Sequence, residues 1–159
     1  MDTEQQQLEM KHFVEDMGLY FEHAGLPRMS GRVLGWLLIS DPSHQTMHEL
    51  TDALHASKAS ISNTTRLLVQ MGFVERLSLP GHRRDHYRLK PGVWYQLTKR
   101  KISQLTAFRQ LAERGLELLE DKDPQLKGRV EEMYNIYAFF EQEFPPLFER
   151  WEQNHQHDA

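Results

Sequence analysis

Apolar residues recur at helical spacing along most of the chain, and one central segment departs from that pattern. Side chains three and four positions apart predict amphipathic helices over 4–24, 28–39, 93–120 and 124–143, and a short helix over 147–153. Pro145 and Pro146 are expected to kink or break the last helical pattern, because an interior proline removes a helical hydrogen bond. Gly31 and Gly35, four residues apart, are typical of a close helix crossing. The chain is organised around residues 46–90, where the periodicity changes.

The first part of this central segment predicts two short helices joined by a tight turn. The first helix covers 47–55, with Thr46 as its N-cap and Glu49 three residues later, as in a capping box. The second helix covers 59–71, and Ser57 is a suitable N-cap for it. The turn between them has only three residues, which favours a helix-turn-helix arrangement.

A two-stranded hairpin is expected after the second helix. Strand-forming residues cover 73–79 and 86–89, and Pro80-Gly81 is a turn signal between them. The hairpin tip carries Arg83 and Arg84, cations that the negative potential of a minor groove attracts. Helix, turn, helix and hairpin follow one another in the order of a winged helix-turn-helix, whose second helix enters the DNA major groove.

The second helix carries side chains suited to DNA on its outer face. Short hydrogen-bonding groups and one arginine stand there without a carboxylate, whereas a merely solvated face more often carries Glu and Lys. Its inner face is expected to consist of Ile61, Thr65, Leu68 and Met71. We predict major-groove contacts from Ser60, Ser62, Asn63, Thr64 and Arg66, a phosphate contact from Lys58, and minor-groove contacts from Arg83 and Arg84.

The charge distribution agrees with this prediction although the net charge of −4 does not. Residues 58–101 hold ten Lys and Arg against two Asp and Glu, a local balance of +8, and the rest of the chain carries −12. Phosphate neutralisation is local, so this asymmetry matters more than the total.

The C-terminal region has more aromatic surface than a small winged-helix core requires. Large exposed apolar patches usually mark an interface. We therefore expect a homodimer, with an interface that includes Phe13, Tyr137, Phe140, Phe144, Phe148 and Trp151. The predicted fold is mainly α with a small β-hairpin: one chain, 1–159, with N-terminal helices at 4–40, a winged helix-turn-helix lobe at 44–90 and C-terminal dimerisation helices at 93–153.

Other classes of protein find little support in the sequence. The polar N-terminus and the lack of a long apolar run predict a cytoplasmic protein without a membrane partner. There is no cysteine, phosphate loop, nucleophile elbow or dinucleotide fingerprint, so we expect neither an enzyme nor a cofactor. His44 and His48 have a metal-ligand spacing, but His44 is expected in the loop before the first helix, so we predict no metal site.

The chain resembles the MarR family of regulators, and more narrowly its GbsR-like branch. The resemblance is carried by FVEDMGLYFEHAGLPRMSGRVLGWLLISDP (13–42), SISNTTRLLVQMGFVERL (60–77) and PGHRRDHYRL (80–89). It covers roughly residues 13–121. Within that branch the chain is similar to repressors of RND-type, MmpL-like efflux transporters. The resemblance implies a dimeric repressor that binds a pseudo-palindromic double-stranded operator.

The resemblance also implies roles for particular residues. Family contacts in the recognition helix fall on Ser62, Asn63 and Arg66, and the wing-tip arginine falls on Arg84. Related wings have an acidic residue where His82 stands, and Asp85 is the candidate substitute for orienting the arginine. A small apolar effector, such as an acyl-chain lipid, is implied; candidate lining residues are Met17, Phe21, Arg32, Leu34, Trp94, Arg100 and Leu105. The alternative function is a protein-binding winged helix with incidental DNA affinity.

Overall fold

The computed structural model describes residues 3–155, which are mostly helical with a small antiparallel sheet, as the sequence predicts. The elements in chain order are α1 (Thr3–His23), α2 (Arg28–Ile39), β1 (His44–Thr46), α3 (Met47–Ala53), α4 (Lys58–Gln70), β2 (Val74–Ser78), β3 (Asp85–Leu89), α5 (Val93–Leu118) and α6 (Pro124–His155). They form two compact units, one ending at Val93 and the other beginning at Trp94. Within 3–155, no helix has both the length and the apolar composition that a membrane crossing requires.

Helices α1 and α2 cross closely because glycines line their contact. A Cβ on Gly31 would lie 2.2 Å from the carbonyl oxygen of Met17, closer than any side chain permits. A Cβ on Gly35 would lie 3.0 Å from Cβ of Met17. The close crossing predicted from these two glycines is therefore present, and it brings α1 against the buried face of α2, which includes Val33, Leu34 and Leu37.

Helices α3 and α4 form the helix-turn-helix, and side-chain caps define where each begins. The hydroxyl of Thr46 accepts from the backbone N–H of Glu49 at 3.2 Å, while the Glu49 carboxylate accepts from the N–H of Thr46 at 2.6 Å. The Ser57 hydroxyl accepts from the N–H of Ser60 at the start of α4. The predicted capping box and the predicted N-cap are both confirmed. Leu50 and Ile61 are fully buried, so the two helices share one core.

The wing is a three-stranded sheet in the order β1-β3-β2. Strands β2 and β3 form the predicted hairpin, and its register is marked by the cross-strand ion pair of Glu75 and Arg88 at 2.6 Å. The sequence prediction missed β1 and put His44 in a loop, which is wrong. Three residues are too few to show a period, and β1 exists through pairing with β3, where Gln45 stands opposite Tyr87.

The second unit is an antiparallel pair of long helices. The rings of Phe108 and Tyr137 stack at 5.0 Å, and Arg109 of α5 donates to the carboxylate of Glu141 of α6. Helix α6 has no buried residue along its described length. The pair therefore leaves part of its apolar surface exposed, which includes Phe139 and Trp151 of α6.

Helix α6 runs without interruption through Pro145 and Pro146, so the predicted break there is wrong. The fixed φ of proline is close to the helical value, so the backbone can keep its helical course although each proline removes a donor. The segment after them is held in line by Phe148 and Trp151, whose rings lie 5.6 and 5.0 Å from that of Tyr95.

Candidate nucleic-acid interface

The outer face of α4 presents most of the side chains that the sequence assigned to it. Lys58, Asn63 and Arg66 are exposed, and Ser60 and Ser62 are half-buried. The inner face of α4 is formed by Ile61, Thr65 and Leu68, which are all buried. The exposed polar strip lacks a carboxylate, so nothing on it would repel a phosphate backbone.

Thr64 is the exception, and its assignment to the outer face is wrong. Its side chain is only 7% exposed. The residue follows Ile61 by three positions and precedes Leu68 by four, which places all three on one side of an α-helix. We therefore remove Thr64 from the predicted DNA contacts.

The hairpin tip exposes its cations. Arg83 and Arg84 are both exposed, as is His82. Asp85 lies 3.4 Å from Arg76 across the hairpin, so the partner of this carboxylate is Arg76. The tip therefore exposes two adjacent guanidinium groups.

One open cleft brings together one cation of α4 and two cations of the wing tip. It has a volume of about 580 Å³ and lies within the first unit. Lys58 lines it from the start of α4, and Arg83 and Arg84 line it from the wing. The remaining lining residues are Thr46, Met47, His48, Thr51, Asp85 and Tyr87. Lys58 of α4 and the two arginines of the wing tip, all predicted to contact DNA, thus line one concave surface.

Beneath the wing tip lies a row of histidines that sequence reasoning did not find. The ring of His86 is 5.2 Å from that of His44 and 5.1 Å from that of His82. His86 is 6% exposed. The pairing of β1 with β3 brings His44 to His86, which no local pattern could have revealed, whereas His82 lies four residues before His86 on the same hairpin. Close to these histidines, two hydrogen bonds lower the pKa of Glu49. The bond from the backbone N–H of Thr46 has the larger effect, and the bond from the Thr46 hydroxyl has the smaller one.

These histidines do not form a metal-binding group. Among residues 3–155, no cluster of three or more His, Asp or Glu has an arrangement that would hold a metal ion. His44 lies on β1 and His48 on α3, so their four-residue spacing is not a spacing along one helix. His48 instead lies 3.5 Å from Asp52.

The candidate effector-contacting residues fall in both units. In the first, Phe21 and Leu34 are buried and Met17 is half-buried against Gly35. Each nitrogen of the half-buried Arg32 guanidinium has a partner: Glu15, the Leu54 carbonyl oxygen and, at 3.8 Å, the sulfur of Met29.

In the second unit, Trp94 lines an apolar cleft of about 270 Å³. The other residues that line this cleft are Tyr95, Thr98, Leu147, Phe148 and Trp151. Arg100 is exposed and Leu105 is half-buried. The cleft thus includes one of the candidate effector-contacting residues, Trp94, and two of the predicted dimer-interface residues, Phe148 and Trp151.

The residues predicted at the dimer interface are not covered within the chain. Phe13 is 39% exposed and Trp151 is 47% exposed. The other four, Tyr137, Phe140, Phe144 and Phe148, are half-buried. The sequence prediction missed further exposed apolar side chains of the second unit, which include Leu111 and Leu118.

Comparison with known proteins identifies relatives along most of the chain. Residues 24–85 match a family model described as MarR family, and residues 92–155 match one described as MmpR5-like MarR family transcriptional regulator. The HTH-type transcriptional regulator MmpR5 of Mycobacterium tuberculosis is 42% identical over 133 residues, which cover 84% of this chain and 81% of that protein. A crystal structure of a transcriptional regulator has 40% identity and a TM-score of 0.71, covering 91% of this chain and 99% of that one.

Proposed function

The chain belongs to the MarR family of transcriptional regulators, and we propose that it is a dimeric repressor of a pseudo-palindromic DNA operator. The observation that carries this proposal is the cationic cleft, which is lined by Lys58 at the start of α4 and by Arg83 and Arg84 at the wing tip. Helix α4 enters the major groove, and the cations of the cleft bind the flanking backbone and minor groove.

Base recognition falls to the exposed strip of α4. Asn63 and Arg66 are the side chains with the reach and the donors to read base edges, since Asn pairs with adenine and Arg with guanine in the major groove. Ser60 and Ser62 are shorter and half-buried, and they are suited to backbone or water-mediated contacts. The absence of a carboxylate on this strip supports the assignment.

In this proposal a second copy of the chain covers the exposed apolar surface of the second unit. Helix α6 buries none of its described residues, and side chains as large as Phe139 and Trp151 remain about half exposed. Long helices are stabilised mainly by the packing of an apolar face, so these two need a partner. A twofold dimer would present two copies of α4 to half-sites separated by about 10 bp.

A small apolar or amphipathic ligand, such as an acyl-chain lipid, releases the dimer from DNA in this proposal. Candidate contacts in the first unit are Met17, Phe21, Arg32 and Leu34, and those in the second are Trp94, Arg100 and Leu105. The ligand acts by binding better to a dimer whose recognition helices misfit the operator. The regulated genes encode an efflux or lipid transporter, and the chain falls in the GbsR-like branch; both statements rest on resemblance.

A titration of DNA binding tests the proposal. A fluorescent duplex selected from a random library by the wild-type protein is titrated at low and high salt, and the affinity should fall steeply with salt because phosphate contacts release counterions. Arg66→Ala should reduce the preference for the selected duplex. Arg129→Ala, on the exposed surface of α6, is the matched control and should retain it.

Two outcomes would contradict the proposal. If the wild-type protein selects no sequence, or if Arg66→Ala and Arg129→Ala bind the selected duplex equally, α4 is not a DNA-reading helix. The exposed aromatic surface of α6 would then favour the alternative of a protein-binding module.

A further inference from the structure

One arginine joins three helices of the first unit. Nε of Arg32, on α2, donates to Oε1 of Glu15 on α1 at 2.8 Å. Nη2 of the same side chain donates to the backbone carbonyl of Leu54 at the end of α3 at 3.0 Å. Arg32 therefore links the N-terminal helix to the helix-turn-helix through a single, planar and permanently charged group.

The carbonyl of Leu54 lies in the turn that joins α3 to α4. It belongs to the C-cap of α3, and the next residue, His55, has a φ of 48°, in the left-handed region. Ser57, only three residues later, is the N-cap of α4. A cation that bonds to the last carbonyl of a helix satisfies that acceptor and interacts favourably with the helix dipole. The bond from Arg32 thus secures the turn from which the recognition helix starts.

A glycine of α1 creates the space that this side chain occupies. A Cβ on Gly18 would lie 2.8 Å from Cγ of Arg32 and 3.1 Å from Cγ of Arg28. The nearest backbone atom, the carbonyl oxygen of Arg28, is farther away, at 3.3 Å. Any larger residue at position 18 would therefore displace the stem of Arg32 before it disturbed the helix crossing.

Arg28 supplies an internal comparison. Its Nη2 donates to Oε2 of the same Glu15 carboxylate at 3.0 Å. The side chain is about half exposed, and the carboxylate that it shares with Arg32 is its only ion-pair partner within residues 3–155. Arg28 and Arg32 thus share charge, helix and the partner Glu15, and they differ in exposure and in the bonds that only Arg32 makes, to Leu54 and Met29.

We infer that Arg32 is a positioning residue for DNA recognition: it fastens the turn between α3 and α4 to α1 and so sets the direction in which α4 meets the operator. The inference rests on the proposed function. Helix α1 exposes Phe13 and Tyr20 on its outer side. A displacement of α1 reaches the recognition helix through the guanidinium of Arg32, without passing through the apolar core.

The test compares Arg32→Met with Arg28→Met, since each variant removes one positive charge and one bond to Glu15. Binding to the selected duplex and to a random duplex is measured by fluorescence anisotropy at one salt concentration. Arg32→Met should lose about tenfold in affinity for the selected duplex, within the range of measured coupling effects, whereas Arg28→Met should change less than about twofold. Affinity for the random duplex should be the same in both variants, because the cleft cations remain.

Hydrogen exchange separates positioning from general destabilisation. The N–H groups of His55 and Ala56 bond to the carbonyls of Asp52 and Thr51 in this turn. Their exchange should accelerate in Arg32→Met while the core amides of α2 stay as slow as in Arg28→Met. Arg32→Lys, which keeps the charge and reaches one partner at a time, should restore part of the affinity.

Each result has a defined consequence. Equal affinity of Arg32→Met and Arg28→Met for the selected duplex would overturn the inference, as would a loss that is equally large on random DNA. If Arg32→Met does not fold, Gly18→Ala takes its place and should lower the operator affinity in the same direction; an unchanged affinity refutes the inference. Failure of the proposed function would give a different result, because the wild-type protein would then select no duplex.

Discussion

Substituting Gly31 by alanine should destabilise the first unit, although alanine is the better helix former. The new Cβ would lie 2.2 Å from the Met17 carbonyl oxygen, and ordinary contact begins at 3.4 Å. Helix α1 must therefore retreat by about 1.2 Å along that direction, because the obstacle is backbone and no rotamer change removes it. The retreat would loosen the packing of Val14 and Phe21 of α1 against α2.

The expected magnitude follows from two opposing effects. Forcing extra volume into a packed core typically costs about 1–3 kcal/mol, and a backbone obstacle lies at the upper end of that range or above it. Replacing glycine by alanine inside a helix stabilises the helix by about 1 kcal/mol. The net loss in the free energy of unfolding should therefore be about 2 kcal/mol or more.

Urea denaturation followed by circular dichroism, at one fixed protein concentration, measures this loss. Gly128→Ala is the matched control, since it also lies inside a helix and a Cβ there meets nothing within 4 Å. That variant should gain about 0.5–1 kcal/mol. If Gly31→Ala were as stable as Gly128→Ala, the close crossing of α1 and α2 would be refuted.

Three further predictions concern the wing, the second unit and the cap of α3. Arg84→Ala should weaken operator binding by about 1–3 kcal/mol, the range for a specific contact, as measured by anisotropy. Phe148→Ala combined with Trp151→Ala should shift the protein toward monomer in sedimentation, because both side chains remain partly exposed on α6. Glu49→Gln should destabilise the protein at neutral pH, and the difference from wild type should vanish on acidification. The pKa of Glu49 is lowered by its bonds with Thr46, so its carboxylate contributes stability above the ordinary value of 4.5, and this contribution is lost as the pH falls through the lowered pKa.

Each of these predictions has an outcome that would reject it. If Arg84→Ala bound the operator as tightly as wild type does, the wing tip would not contact the operator. An intact dimer of the double variant would place the interface elsewhere. A stability difference between Glu49→Gln and wild type that stays constant between about pH 7 and pH 3 would mean that the charge of Glu49 plays no part in the cap.

The elements that depend on local chemistry were predictable from the sequence. The capping box of Thr46 and Glu49 and the N-cap Ser57 are confirmed, because a cap is formed by residues three apart or closer. The close crossing at Gly31 and Gly35 was also predictable, since only glycine allows two helix backbones to approach so closely. The wing strands β2 and β3 are adjacent along the chain, and their alternation and turn residues identify them.

Two of the errors occurred where neighbours distant in sequence decide the outcome, and Thr64 is a different case. Thr64 looks like a polar residue on a DNA-reading face, but its spacing of three residues from Ile61 and four from Leu68 already places it on their side of α4, where it is buried. The three residues of β1 carry no pattern of their own and become a strand by pairing with β3. Pro145 and Pro146 signal a break that contacts with Tyr95 override.

By itself the sequence determined the order of the two central helices and the hairpin and the positive charge of residues 58–101, because these follow from local periodicity and composition, and its motifs carried the resemblance to the family. Only the tertiary structure decided which distant groups meet: Arg32 with the carbonyl of Leu54, and Lys58 with Arg83 and Arg84 around one cleft. The reason is physical. A hydrogen bond or a shared cleft depends on the packing of whole helices, and packing is set by the combined shape of many side chains rather than by any spacing along the chain.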